Sequence, residues 1–250
     1  LEFRRVLFRS GQDARTEVPP AGLIAGKLRR SRPYIYSEAE VATIVARAAK
    51  LPSPYGIRGW SCSTLFGLIA VTGLRINEAI ALDDDDVDLA EGVITVRRGK
   101  NGTARFVPIA RSTVARLRAY RAERTRLLGP TPGAFFLMES GKRPTDCCAR
   151  YNFAVVSQAL GLREPQRFCK HGRGPRIHDL RHTFAVRTII GWYRKGLDPD
   201  REMIKLSTYL GHVKPELTYW YIEAVPELLQ LASKRAERAL AAGAAEGDGR

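Results

Sequence analysis

The sequence predicts a mainly α-helical domain with one small antiparallel β-sheet, the α+β class. Apolar residues recur at helical spacing over most of the chain from Tyr34 onward. Two short β-rich runs, Val93–Val96 and Arg105–Pro108, flank an Asn101-Gly102 pair that is typical of a hairpin turn. The 250 residues are 44% hydrophobic, which suffices for a large core and excludes wholesale disorder.

The helices are predicted from apolar periods and capping residues. The first opens with a capping box, Ser37 followed three residues later by Glu40. A break at Gly73 separates a second helix over residues 62–71 from a short one over residues 76–82. Further helices are predicted over residues 112–128, 145–160, 178–194, 201–210 and 215–238, the last with a break near Pro226. We expect the acidic run Asp83–Asp86 to be a solvated loop rather than a metal site, since adjacent carboxylates on a loop do not converge by themselves.

The two ends of the chain differ from the predicted domain in composition. Residues 1–10, LEFRRVLFRS, can be read codon for codon from a common sequencing adapter, and we interpret them as an adapter-derived artefact. Residues 11–33 are rich in Pro, Gly and Arg, which indicates a linker or the remnant of an upstream domain. The predicted helical domain covers residues 34–240, and residues 241–250 are predicted to be a disordered tail.

The charge balance points to a polyanionic partner. The chain has 41 Lys and Arg against 26 Asp and Glu, a formal net charge of +15. Nucleic acid is a more common partner of such domains than a membrane. No apolar run approaches the roughly 20 residues needed to cross a bilayer. The four cysteines show no CxxC spacing, as expected of reduced thiols in a cytoplasmic protein.

Four separated segments carry candidate functional side chains, and each alone is ambiguous. Arg75 could simply pair with Glu78 one helical turn later. Lys100 could be a solvated turn lysine, although residues 92–122 hold eight Lys or Arg and no Asp or Glu. His178 and Arg181 are three apart on one helix face and could address one anion together.

The last two candidates follow near the end of the chain. His212 could merely interact with the last carbonyls of a helix, and Tyr221 could be a packing residue. A metal site of Cys169, His171 and His178 would have irregular spacing and no fourth ligand in view. We therefore predict neither a metal nor another cofactor.

Taken together, these residues suit attack on a phosphodiester. Its transition state gains negative charge, which arginines meet with bidentate hydrogen bonds. A tyrosine, whose ordinary pKa is about 10, becomes a nucleophile when cations favour the phenolate or a base takes its proton. A lysine on a hairpin tip could protonate the leaving oxygen as general acid.

The same segments resemble the tyrosine recombinase or phage integrase family over about residues 34–235. The motifs are TGLRINEAIAL, the hairpin RRGKNGTARFVPI, HDLRHTF, LGH and the tyrosine that follows. The resemblance implies a catalytic domain that cuts one DNA strand through a 3′-phosphotyrosine and rejoins it to another end. It also implies double-stranded DNA as partner, a homotetrameric synaptic complex, possible accessory DNA-bending or directionality proteins, and no metal or nucleotide.

Roles carried over from the family fall on seven residues. Tyr221 would be the nucleophile and Lys100 the general acid, and His178 would assist proton transfer. The residues that would bind and stabilise the phosphate are Arg75, Arg181 and His212, with Glu78 in support. Tyr219 competes as nucleophile, but it lies about 200° around the helix, and the family spacing from LGH selects Tyr221.

Two alternatives to this function stay open. The chain could be a DNA-binding fragment without catalysis, or a type IB topoisomerase-like enzyme that shares the chemistry. The family's upstream DNA-clamping domain is absent or reduced to residues 11–33, which predicts weak, salt-sensitive DNA binding. Near the end of the chain, Leu228, Leu229 and Leu231 could dock on a neighbouring protomer or pack within their own domain.

Overall fold

A computed structural model of the chain describes residues 32–97, 104–131, 133–166, 169–212 and 216–247. Helices dominate these ranges, with a small antiparallel sheet and a two-stranded ribbon, which confirms the predicted class. The helices are α1 (Glu38–Ala49), α2 (Ile57–Thr72), α3 (Ile76–Ile80), α4 (Arg111–Leu128), α5 (Asp146–Ala159), α6 (Ile177–Arg194), α7 (Pro199–Leu210), α8 (Glu216–Ala224) and α9 (Pro226–Gly247). The strands are β1 (Val87–Asp88), β2 (Val93–Val96), β3 (Arg105–Pro108), β4 (Glu164–Gln166) and β5 (Cys169–Arg173).

Capping residues set the helix ends that matter for the site. The capping box of α1 is present: the Glu40 amide donates to Ser37 Oγ at 3.1 Å, and the Ser37 amide donates to Glu40 Oε2 at 2.6 Å. Helix α2 begins at Ile57, earlier than predicted, directly after Gly56 in the left-handed region. It ends at Gly73, also left-handed at φ +64°, where glycine avoids the steric cost that a Cβ brings.

The predicted hairpin supplies β2 and β3 of a three-stranded sheet of order β1-β2-β3, in which β2 is the central strand. In its register Ile94 pairs with Val107 and Val96 with Arg105, and both pairs of strands are antiparallel. The hairpin turn, including Lys100 and Asn101-Gly102, lies outside the described residues. The edge strand β1 and the β4–β5 ribbon were not predicted, because neither has the apolar alternation that indicates a strand.

The acidic run is paired with arginines, so the prediction of a solvated loop is wrong. Its residues form a short 3₁₀ turn over Asp84–Asp86. Asp84 Oδ2 accepts from Arg124 at 2.8 Å, Asp83 binds Arg143, and the buried Asp86 pairs with Arg97. These arginines come from distant parts of the chain, so the local charge pattern could not reveal them.

Two apolar clusters meet along α6. The first surrounds α2, which is buried on nearly all sides, and takes Ile177 and Leu180 from the start of α6. The second joins the rest of α6 to α7, α8 and α9, and includes Val186, Leu210 and Tyr221. Residues between Leu180 and Val186 therefore lie where the two clusters meet, on a helix that both hold in place.

The C-terminal helix α9 belongs to the same compact unit as the other helices, and this unit begins at Pro33. Leu228 is fully buried in the second cluster and Leu231 packs against it, whereas Leu229 is 48% exposed. Helix α9 continues to Gly247, in keeping with the high helix propensity of its alanine-rich sequence; the division of the chain into domains and a tail stays a prediction. Within the described ranges, none of the helices combines the length and the apolar character that crossing a membrane requires.

Candidate active site

A carboxylate between two arginines forms one side of the site. Glu78 Oε1 accepts a hydrogen bond from Arg75 Nη1 at 2.8 Å, and Glu78 Oε2 accepts from Arg105 Nη2 at 2.7 Å and from the Arg75 amide at 2.9 Å. Burial alone would raise the pKa of Glu78, but the hydrogen bonds and positive charges of these arginines outweigh it and lower the pKa to about 2. Glu78 is therefore ionised, and it fixes both guanidinium groups.

The end of α7 supplies carbonyl oxygens to the same arginines. Arg75 Nη2 donates to the Gly211 carbonyl at 2.9 Å, and Arg105 Nε donates to the Tyr209 carbonyl at 2.8 Å. Gly211 has a φ of +65°, and a Cβ there would lie 3.0 Å from Arg105 Nη1. Glycine thus allows the α7 terminus to approach both guanidinium groups, whose positive charge suits a helix C-terminus.

Arg181 is buried among carbonyls at the centre of the site. It is 2% exposed and donates to the Gly73 carbonyl at 2.5 Å and to the Leu210 carbonyl at 2.7 Å. Burial and the charge of Arg75 lower its pKa to about 10, so it stays cationic at neutral pH. Of its five N–H groups, these two bonds and one to His212 occupy three.

His212 links Arg181 to α8. Arg181 Nη2 lies 3.1 Å from His212 Nε2, and His212 Nδ1 lies 2.7 Å from Thr218 Oγ1, which in turn lies 2.8 Å from Ser207 Oγ. Since a guanidinium only donates, Nε2 accepts and the ring proton belongs on Nδ1. Burial and three nearby arginines lower the pKa of His212 to about 3, which agrees with this neutral tautomer.

The two candidate tyrosines of α8 point to different surroundings. Tyr221 is 2% exposed, its Oη lies 2.9 Å from His182 Nδ1, and its charge state acts on Arg181. Tyr219 Oη instead donates to Asp200 of α7 at 3.4 Å, and burial together with Asp200 raises the pKa of Tyr219. Only Tyr221 is turned toward the arginine and histidine cluster.

The site histidines on α6 are also neutral. The rings of His178 and His182 meet edge to face with 4.6 Å between centroids. Burial and the positive charge of Arg181 lower the pKa of His178 to about 4, and burial with His178 and Arg181 lowers that of His182 to about 3. A bound anion would raise both values, because it would offset the positive charges that lower them.

The structure brings six of the seven predicted site residues into one region. They are Arg75, Glu78, His178, Arg181, His212 and Tyr221, linked by the contacts above. Lys100 lies outside the described residues, as do the side chains of Cys169 and His171. Among the residues whose positions are described, no group of three or more His, Cys, Asp or Glu could hold a metal ion.

Three residues of the site were not predicted. Arg105 reads as a strand residue of the hairpin, His182 adjoins a candidate motif without a role of its own, and Thr218 lies between LGH and the tyrosine. Arg105 and His182 act through contacts with residues far away in sequence, 27 positions in the case of Arg105 and Glu78 and 39 in that of His182 and Tyr221. Thr218 acts through nearer residues that the end of α7 brings to it. The eight basic residues of the segment 92–122 were the one signal that could have directed attention to Arg105.

Comparisons with known proteins identify the family of the chain. The model of the phage integrase family matches residues 36–227. An integrase/recombinase named y4rB from Sinorhizobium fredii is 38% identical over 236 residues, which cover 92% of this chain and 74% of that protein. Tyrosine recombinase XerD from Ralstonia nicotianae is 30% identical over 200 residues, which cover 79% of this chain and 58% of that protein.

Solved structures show the same fold. The XerA recombinase superposes with a TM-score of 0.61 at 22% identity, over 82% of this chain and 66% of that one. The XerH site-specific recombinase, bound to its difH substrate after cleavage, gives a TM-score of 0.59 at 23% identity, over 83% of this chain and 54% of that one. The chain belongs to the phage integrase family, and it spans between about half and three quarters of the length of these relatives.

Proposed function

We propose that this chain is the catalytic part of a site-specific DNA recombinase. The single observation that carries the proposal is the buried phenol of Tyr221, which contacts His182 and lies within electrostatic range of the buried cation Arg181, itself bonded to His212. The proposal rests also on the names of its relatives, which are integrases and tyrosine recombinases. Double-stranded DNA is the substrate, and a homotetrameric synaptic complex is the assembly in which strands are exchanged.

In the proposed reaction Tyr221 Oη attacks the scissile phosphorus. The Oη–P bond forms, the bond from phosphorus to the 5′ oxygen breaks, and the free 5′ hydroxyl of another end later reverses the step. Arg75, Arg181 and His212 contact the non-bridging oxygens, where negative charge builds up in the transition state. Lys100 protonates the leaving oxygen, and His178 assists proton transfer.

The arrangement of Glu78 and Arg105 supports this role for Arg75. Arg75 uses two of its donors on Glu78 and Gly211, and its side chain is 22% exposed. The guanidinium group is therefore fixed before DNA arrives, while part of it can still reach a ligand. Such preorganised donors stabilise a transition state without a reorganisation cost.

A covalent-trapping experiment tests the proposal. The chain is incubated in EDTA with nicked DNA from a pool of candidate sites, and SDS-resistant protein–DNA adducts are measured. We expect an adduct that Tyr221→Phe abolishes and that the matched control Tyr219→Phe retains. DNA binding without any adduct would reject cleavage by this chain and support the DNA-binding alternative.

The cellular setting follows from the proposed substrate. We place the protein in the cytoplasm of a bacterium or in a phage-infected cell, in association with the nucleoid. Accessory DNA-bending or directionality proteins would decide whether exchange integrates or excises DNA. Sedimentation of the protein with its DNA site tests the tetramer, and a complex with one protomer per site at saturation would reject it.

A further inference from the structure

A histidine without a role in the proposed reaction lies directly against the nucleophile. His182 Nδ1 is 2.9 Å from Tyr221 Oη, a normal hydrogen-bond distance. The two rings are 5.5 Å apart at 62°, and Trp220 flanks the same imidazole at 5.8 Å. His182 is therefore held between the neighbouring histidine of α6 and the two aromatic rings of α8.

The surroundings keep this imidazole free of a second proton. The charged and titratable groups that act on it are His178 and Arg181 of α6, Arg176 before that helix, His212 after α7, and Tyr221 of α8. Burial is the largest cause of its lowered pKa, and the neighbouring cations add to it. A neutral imidazole whose ring proton sits on Nε2 can accept the phenol hydrogen at Nδ1.

On the basis of the proposed function, we infer that His182 is a further catalytic residue, the group that takes the proton of Tyr221. As Oη bonds to phosphorus, its proton passes to His182 Nδ1. The 5′ oxygen leaves with the electrons of its bond to phosphorus and receives a separate proton from the general acid. In the reverse step a 5′ hydroxyl attacks the phosphotyrosine and gives its proton back to the general acid, while the bond from phosphorus to Tyr221 Oη breaks and Oη recovers its proton from the His182 imidazolium.

DNA binding makes this transfer more favourable. In the protein alone, the cations around His182 oppose an imidazolium. The phosphodiester carries a negative charge into that group, and the transition state carries more, so the imidazolium is stabilised at the moment it forms. The proton acceptor is thus activated by the substrate, and Tyr221 stays protonated until a phosphate is present.

His178 is less well placed to make the first contact with the phenol. The hydrogen bond of Tyr221 goes to His182, and the ring of His178 meets the edge of His182 instead. His178 and His182 are also one helical turn apart on α6. We therefore assign removal of the phenol proton to His182 and leave His178 its proposed assisting role.

The decisive variant is His182→Asn, because an asparagine places a hydrogen-bonding atom near the position of Nδ1 but cannot take up a proton. The single-turnover rate of adduct formation is measured on a nicked DNA site, with DNA affinity and thermal unfolding measured on the same samples. We expect the rate to fall about 100-fold or more, the usual contribution of general base catalysis. We expect DNA affinity to change by less than about twofold, since the phosphate-binding arginines are untouched. Tyr219→Phe is the matched control and should keep the wild-type rate.

Two further arms distinguish proton removal from other roles. With His182→Ala, added imidazole should raise the rate, since it can enter the vacated space and accept the proton. A substrate with sulfur in place of the bridging 5′ oxygen needs no protonated leaving group, so it should not restore His182→Asn, although it should restore a Lys100 variant. Restoration of His182→Asn by sulfur would overturn the inference, because it would make His182 a proton donor.

The same experiment separates the inference from the function on which it rests. A His182→Asn rate within about threefold of wild type, with Tyr221→Phe inactive, would overturn the inference and leave the proposed cleavage intact. No adduct from the wild-type chain would instead reject the proposed cleavage, and the role of His182 with it.

Discussion

At the scale of single residues, the site is organised around charge that the protein alone does not neutralise. Glu78 is the one carboxylate among the described residues that contacts both Arg75 and Arg105. Arg181 is bound by neutral carbonyls and a neutral imidazole. Among the described residues, no carboxylate makes direct contact with this buried cation, and a phosphodiester would supply the missing negative charge.

Glu78→Gln tests the role of the carboxylate. Because burial is outweighed by the arginines and the pKa of Glu78 falls to about 2, its contribution to stability is present above its ordinary value of 4.5 and is lost as the pH falls toward 2. At pH 7 we expect Glu78→Gln to lower the free energy of unfolding by about 3 kcal/mol, since two largely buried guanidinium groups lose their partner. Denaturant titrations at several pH values would measure this, and a gap between the two proteins that does not shrink below pH 5 would contradict it.

Thr218→Val tests the support of His212. The substitution keeps the shape of the side chain but removes the hydroxyl that contacts His212 Nδ1 and Ser207 Oγ. We expect a loss of roughly 1–3 kcal/mol, because buried polar atoms lose their partner, and a slower adduct formation because the His212 ring is no longer fixed. Thr208→Val on the exposed face of α7 is the matched control and should change stability by less than about 0.5 kcal/mol. Equal effects of the two substitutions would rule out the proposed support.

At the scale of elements, the sequence predicts helices well and long-range contacts poorly. Helix α6 was predicted to within one residue of its start, and the break at Pro226 was located, because caps and apolar periods are local signals. The β4–β5 ribbon was missed because its residues do not alternate. Arg105 was missed because its contact with the site depends on how β3 lies beside the end of α7. No local sequence pattern encodes that arrangement.

Gly73→Ala tests how closely α2 and α6 must meet. Gly73 has a φ of +64°, and an added Cβ would lie 2.5 Å from Phe184 Cδ1. Its carbonyl also accepts from Arg181, so a shift of this turn would move that guanidinium. Gly196→Ala is the matched control, since Gly196 follows α6 at φ +69° in a left-handed cap, with no atom within 4 Å of an added Cβ.

We expect Gly196→Ala to cost about 1 kcal/mol, the left-handed strain alone. Gly73→Ala should cost about 1–3 kcal/mol more, because overpacking adds to the strain, and it should reduce adduct formation as well. Thermal or denaturant unfolding of both variants measures the difference. Similar losses for the two would mean that Phe184 moves aside without cost.

At the scale of the whole molecule, the net charge of +15 is distributed unevenly. The segment 92–122 contributes eight basic residues and no acidic one, and it runs from the sheet into α4 beside the site. Within the segment, Arg97 pairs with Asp86 and Arg105 with Glu78, whereas the arginines that bind Asp83 and Asp84 come from outside it. The positive charge that remains after this pairing favours phosphate binding, which makes the binding salt-dependent.

The salt dependence of DNA binding tests this distribution. We expect the logarithm of the affinity to fall linearly with the logarithm of salt concentration, and Arg111→Gln to reduce the slope by about one unit. Arg111 is exposed at the first position of α4, directly after the sheet. Arg126→Gln is the matched control, because Arg126 binds Glu123 and lies roughly 22 Å farther along the helix. Affinity measured by fluorescence anisotropy over a salt series gives both slopes, and an unchanged slope for Arg111→Gln would exclude a phosphate contact there.

The carbonyl oxygens that hold the arginines also affect how the protein can evolve. Gly73, Tyr209, Leu210 and Gly211 contribute main-chain atoms, not side chains, to Arg75, Arg105 and Arg181. A point mutation cannot delete a main-chain carbonyl, so these hydrogen bonds to the arginines persist in any variant that leaves the backbone in place. In a library of random variants, Tyr209 should therefore tolerate many side chains, whereas Gly73 and Gly211 should tolerate almost none. The positions of the three arginines are therefore largely independent of side-chain substitutions at the residues whose carbonyls hold them.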